Sequence, residues 1–270
     1  MPRVNTRCCL ALLSLVAFFS VPLLAQKSDD NFATAPEQLR RIDPPKPSMT
    51  FEELEARADE LRGAKAFADA LDYYRAALSK SKLARVYNKM GMTELMMLRY
   101  DEAQQDFERS IRADKTYPDA YNNLGVIHYI KRNYRRAIKS YSKAIGLNEE
   151  SASFHSNLGT AFFARKELDK AMVQYQRALE LDPLIFERRS NNGVAARMAS
   201  DRDRAHYDYV IAKMFAMKGD AEHCLLYLRR ALEDGYADIN NVYSEAEFAV
   251  VRKDPKFAEL MQSKPMSIPN

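Results

Sequence analysis

The sequence predicts an all-α chain, a solenoid of stacked helix–turn–helix units, and three observations carry that expectation. Gly91, Gly125, Gly159 and Gly193 fall 34 residues apart in a chain with eight glycines. Aligned on that interval, the same side-chain classes recur from unit to unit. Within each unit the apolar residues form two stripes at helical spacing, separated by a short polar stretch such as Lys131-Arg132-Asn133. A fixed period of 20–50 residues marks repeated supersecondary units. Such units bury their apolar faces against their neighbours rather than alone.

Residues 1–25 stand apart from that pattern. Arg3 and Arg7 are the only charges there, Leu10 to Leu24 is apolar except for Ser14 and Ser20, and Ala25 ends the run with a small residue. These are the three parts of a secretory signal peptide, and the run is shorter than the ~20 residues a bilayer span needs. An uncleaved anchor is the alternative. Cys8 and Cys9 precede the apolar run, where a lipoprotein cleavage cysteine would not lie. Residues 26–50, with Pro36, Pro44, Pro45 and Pro47, read as a disordered or extended polar linker.

Four units follow, at 51–83, 84–117, 118–151 and 152–185. The first lacks the glycine and has Ala58 in its place, but keeps Leu54, Leu61, Ala70, Tyr74, Ala77 and Leu78. The next three share a core. Gly91, Gly125 and Gly159 lie in the first helix; Ala103, Ala137 and Ala171 lie in the second, with Phe107, Tyr141 and Tyr175 four residues later. Ser110, Ala144 and Ala178 then precede Ile111, Ile145 and Leu179. Glycine inside a helix costs about 1 kcal/mol against alanine. Its recurrence at one point in each first helix predicts close approach of the partner helix.

Beyond 185 the pattern loosens. Residues 186–204 read as a degenerate half-repeat or an irregular insertion, and 205–238 as an atypical helix pair. In that pair Ile211, Ala212 and Phe215 precede the turn Lys218-Gly219-Asp220, and Cys224, Leu228, Ala231 and Leu232 follow it. Residues 239–270 read as a capping segment and tail, with a helix start at Asp254-Pro255.

These residues resemble the tetratricopeptide repeat family, whose 34-residue unit is a helix–turn–helix of this pattern. The match is strongest in the third and fourth units and covers most of 51–185 and part of 205–238. The resemblance implies a right-handed α-solenoid in which the first helices line a concave groove. Carried over position by position, the groove candidates are Asn88, Met92, Leu95, Met96, Asn122, Val126, Tyr129, Ile130, Thr160 and Phe163. Such a floor is mostly apolar, with amides that could bond a peptide backbone. Family members that grip a C-terminal carboxylate use a basic clamp. Here Glu55, Asp59, Thr160 and Ala164 occupy those positions, which argues against that mode. A hydrophobic peptide or helix fits the groove better, unless another part of this chain covers it.

Charge and composition narrow the function classes. The net charge is +4, and removing Arg3 and Arg7 with the leader leaves +2, too near neutral for a dedicated nucleic-acid binder. Arg135, Arg136, Lys139 and Lys143 cluster on one second helix and read as a solvated outer face, a basic docking patch being the alternative. No two glycines lie close enough for a phosphate loop, and there is no His-Glu-x-x-His or Cys-x-x-Cys. His128 and His155 fall on core positions, and Cys224 takes an alanine position. The expectation is therefore no catalytic residue, no metal and no cofactor. The reading is an exported scaffold for a protein or peptide partner in envelope assembly or secretion. It has no nucleic-acid partner and no membrane domain after leader removal. A small-molecule or glycan receptor using the groove and a self-association module are the alternatives.

Overall fold

The computed structural model describes residues 44–186 and 201–263; the leader, most of the linker, Gly193 and the tail lie outside them. Four antiparallel helix pairs come first: α1 (Phe51–Gly63) with α2 (Phe67–Lys80), α3 (Ala84–Met96) with α4 (Tyr100–Ala113), α5 (Pro118–Ile130) with α6 (Tyr134–Ile145), and α7 (Ala152–Ala164) with α8 (Leu168–Leu181). Each pair also packs on the next, so the chain is an α-solenoid with no strand among the described residues. The stack begins at a capping box: Thr50 Oγ1 accepts from Glu53 N–H, and Glu53 accepts from Thr50 N–H at 2.8 Å.

The glycines sit where the second helix comes closest. A Cβ on Gly91, Gly125 or Gly159 would lie 2.6, 2.5 or 2.5 Å from the ring of Phe107, Tyr141 or Tyr175, each of them fully buried. A rigid ring in a packed interior cannot step aside, so the period in glycine is a period in helix–helix contact. Ala103, Ala137 and Ala171, on the helices that carry those rings, are also fully buried.

Each turn within a pair is the same device. Leu98, Arg132 and Lys166 adopt left-handed φ of 61°, 57° and 62°, and Lys65 matches them at 61°. The amide that follows reaches back to the last turn of the first helix: Arg99 N–H to Glu94 O at 2.9 Å, Asn133 N–H to His128 O at 2.8 Å. This is the Schellman closure of a helix end, which favours glycine at the left-handed residue. Four successive turns do without it.

A fifth pair, α9 (Asp201–Met217) and α10 (Ala221–Glu233), follows. Gly219, φ 75°, stands at its left-handed turn position. In the register of the earlier pairs, Ala212 replaces the helix glycine and Leu228 replaces the aromatic ring; both are fully buried. A methyl gained on one helix is matched by a slimmer side chain on the other. α9 is 17 residues long, against 13 for α3, α5 and α7. Its His206 and Tyr207 pack on Phe163, and Tyr207 meets Tyr175 edge-on at 5.6 Å.

The end of the stack is covered by 3-10 turns at Ile239–Tyr243, Ala246–Ala249 and Val251–Lys253 and by a last helix, α11 (Pro255–Gln262). Ile239, Val242, Phe248 and Val251 are buried in the same core as α9 and α10. Arg252 pins the segment by donating to Val242 O and Glu245 O, both at 2.7 Å. Asp254 caps α11 and Pro255 opens it.

Candidate functional site

Polar side chains stitch the first helices together. Asn123 donates to Asn88 Oδ1 and Asn157 donates to Asn122 Oδ1, both at 2.9 Å and both buried. The sixth residue of one unit thus bonds the fifth of the unit before. At the first junction the same register holds an ion pair, Lys89 Nζ to Glu55 at 2.8 Å. Arg85 joins Glu55 at 2.8 Å, and Lys89 also reaches Asp59 at 2.6 Å. The Arg85 hydrogen bond holds the Glu55 carboxyl below its usual range.

This ladder decides where several groove candidates stand. Asn88 and Asn122 are buried; their amide oxygens are taken up between units and their amide nitrogens by Met92 and Asn123 of their own helices, rather than open to a peptide backbone. Val126, Leu95, Tyr129, Thr160 and Phe163 are buried as well; Met92 and Ile130 are half-buried; Met96 is exposed. Thr160 donates to Ser156 O at 2.9 Å. Phe163 lies against His206 and Tyr207, so α9 covers its ring. Tyr129 packs on Tyr134 at 5.3 Å, and burial pushes its hydroxyl well above the usual phenol range. The acidic residues at the clamp positions, Glu55 and Asp59, are held by Arg85, Lys89 and Tyr74.

Among the described residues a cleft of about 540 Å³ lies open along the turns of the first three units. Its wall repeats with the chain: Phe67 from the first unit; Leu95, Met96, Leu98 and Tyr100 from the second; Tyr129, Ile130 and Tyr134 from the third. Met96 is 43% exposed and Leu98 58%. Lys65 and Arg132 are the charged residues of the lining. Reading the floor as a row of first-helix positions found Leu95, Met96, Tyr129 and Ile130. It missed Phe67, Leu98, Tyr100 and Tyr134, which belong to the turns and the starts of second helices. The usable signal was Leu98 itself, an apolar residue where the other three turns carry Lys65, Arg132 and Lys166.

The repeat register, the buried glycine–ring contacts and the turns now stand together with a direct match. Models of the tetratricopeptide repeat match residues 118–151 and 152–183, and a second such model matches 88–134. This is a tetratricopeptide repeat protein. Solved structures of similar fold include MamA, 19% identical over 73% of this chain and 95% of that one, TM-score 0.48. Another is YrrB, described as a TPR protein with an unusual peptide-binding site, 22% identical over 71% and 90%, TM-score 0.46. A third is a thermophilic TPR protein of Thermus thermophilus, 16% identical over 79% and 100%, TM-score 0.48. No curated protein matches the sequence. As a TPR chain it is a scaffold that presents extended surface for protein–protein interaction.

Elsewhere in the TPR stack Cys224 and His155 are buried, and His128, His206 and His223 are half-buried. Cys224 is fully buried, and burial pushes its thiol up to about 12, far from a nucleophilic thiolate. His155 bonds Gln174 at 2.8 Å and Glu149 O at 3.1 Å, and His206 stacks on Tyr236. Burial lowers the pKa of His128 and His206. Among the described residues no cluster of three or more His, Cys, Asp or Glu could hold a metal, and no helix is long and apolar enough to cross a membrane.

Proposed function

We propose that this TPR protein is a non-catalytic scaffold that holds a protein partner by seating an apolar segment in the turn-edge cleft. Leu98 carries the reading. It sits in a left-handed turn, where a side chain costs roughly 1–2 kcal/mol, and it leaves 58% of its surface in water. Gly219 stands at the equivalent turn of the fifth pair without either cost. A residue that is locally unfavourable twice over is supported by what it contacts in a complex, and its neighbours Met96, Phe67 and Tyr100 are apolar. Met adapts to varied partner shapes, and aromatic anchors dominate docking energies.

The leader-like residues Met1–Ala25 support export, and with it a role in envelope assembly or secretion. The near-neutral charge supports a protein partner over nucleic acid. Cell fractionation with N-terminal sequencing tests export: a chain starting at Gln26 outside the cytoplasm supports it, and an intact leader on a cytoplasmic chain overturns it. The docking reading is tested by crosslinked capture with the wild type beside Met96→Glu/Leu98→Glu. Both residues are exposed, so the variant should keep the wild-type circular dichroism. A protein captured by the first and lost by the folded second is the expected result. Identical capture by both overturns the cleft as the docking site.

A further inference from the structure

The charged residues of the cleft share one sign. Among the described residues that line it, only Lys65 and Arg132 are charged, and both are cations. They stand 67 positions apart in sequence, at the equivalent left-handed position of the first and third turns, with Leu98 holding that position in the turn between. Among the described residues neither side chain has an ion pair or hydrogen bond, although neighbouring cations do. Lys131 is bound by Asp101 at 2.6 Å and by Gln104 at 2.8 Å, and Arg99 pairs with Glu94 at 3.4 Å. Both Lys65 and Arg132 are exposed. An apolar floor therefore has a positive charge from each flanking repeat at its mouth and, among the described residues, no acid in its lining.

We infer that the partner presents an apolar side chain flanked by carboxylates: the apolar group enters between Met96 and Tyr100, and the carboxylates meet Lys65 and Arg132. This rests on the docking reading above and adds the partner's chemistry. Complementary charge at the rim of an apolar anchor selects partners and speeds encounter more than it adds affinity. The cations therefore set which apolar segment is accepted, and their contribution weakens with salt. The mode differs from carboxylate-tail capture, because the anchor is apolar and the acids need not be terminal.

A displayed library of random peptides, selected on the full chain and counter-selected on Met96→Glu/Leu98→Glu, tests it. The expected result is enrichment of peptides with Asp or Glu beside a Leu, Ile, Met or aromatic anchor. Fluorescence anisotropy of one such peptide should show roughly tenfold weaker binding to Lys65→Glu/Arg132→Glu. The loss should shrink between ~0.05 M and ~0.5 M salt. Apolar peptides without acidic bias would overturn this inference and leave the docking reading standing. No enrichment over the counter-selected variant would overturn both. A chain that sediments as a dimer, dissolved by Met96→Glu/Leu98→Glu, would make a second copy the occupant and overturn the inference. So would enrichment that emerges only after Asp29→Ala/Asp30→Ala/Phe32→Ala, which would make the chain's own acidic-apolar segment the occupant.

Discussion

Tyr141 shows how far a repeat can drift at one residue before its neighbours object. In three of the first four units the aromatic of the second helix meets a suitable group on the first. Tyr74 donates to Asp59, Tyr175 donates to Thr160 Oγ1 at 3.4 Å, and Phe107 needs no acceptor. The third unit keeps the hydroxyl but puts Val126 at the acceptor position, and Tyr141 Oη is buried without a hydrogen-bond partner among the described residues. An unmet buried hydroxyl costs about 1–3 kcal/mol. Val126→Thr should therefore raise stability by about 1 kcal/mol in denaturant unfolding, and Tyr141→Phe by a similar amount. In the Val126→Thr background the sign of Tyr141→Phe should reverse. Asp208 is a second residue at odds with its place. It is 7% exposed at a register position that Leu54, Tyr87, Tyr121 and His155 hold in the earlier units. Burial raises its pKa to about 6, against the pull of Arg230 and Arg204 and with the push of Asp234. A raised carboxyl pKa means that the folded state prefers the neutral form, so stability falls as pH climbs from about 4 to above 6. Asp208→Asn should gain about 1–3 kcal/mol at pH ~8 and nothing at pH ~4, read by chemical unfolding across pH. Both faults could be read from the aligned units once the partners were known. The pairing of first-helix position nine with the second-helix ring is a fact of packing, and periodicity alone does not reveal it.

At the scale of an element the helices were legible, as were the places of the turns at Lys131-Arg132-Asn133 and Lys218-Gly219-Asp220; the left-handed geometry of the first four turns was not. Two stripes at helical spacing locate α3 to α8, because an amphipathic helix has to bury a face and the spacing records which one. The turns obey backbone geometry rather than burial. A left-handed residue at each turn follows from the Schellman closure, yet Lys65, Leu98, Arg132 and Lys166 carry no glycine to announce it. That makes the turn a place to separate stability from function. Leu98→Gly should stabilise the protein by up to about 1 kcal/mol, the relief of a left-handed side chain less the entropy glycine loses. The same change should abolish partner capture. Lys166→Gly, at a turn outside the cleft lining, should stabilise equally and leave capture unchanged. Thermal unfolding beside capture checks both, and equal loss of capture by the two variants would count against Leu98 as a contact.

For the molecule as a whole, the ends and the seams matter most. A stack of repeats is cooperative only as far as each unit is coupled to the next. Here the coupling includes the Lys89–Glu55, Asn123–Asn88 and Asn157–Asn122 rungs as well as apolar contact. At the far end the 239–262 segment is built of short 3-10 turns and one short helix, and Arg252 ties the turns together by holding two carbonyls. Arg252→Ala should leave those acceptors unmet, costing about 1–3 kcal/mol locally. Hydrogen exchange should then quicken in α9, α10 and α11, with α1 to α6 unchanged; uniform quickening would mean that the cap is coupled to the whole stack. The sequence by itself determined the class of fold, the unit length, the helix pairs and the core of glycines, alanines and rings, because all of these repeat and burial enforces the repetition. Only the tertiary structure decided which polar residues are consumed between units and which apolar ones stay in water. Asn88, Asn122, Met96 and Leu98 have the same local patterns as residues with other fates. What separates them is the neighbour that arrives about 34 positions later.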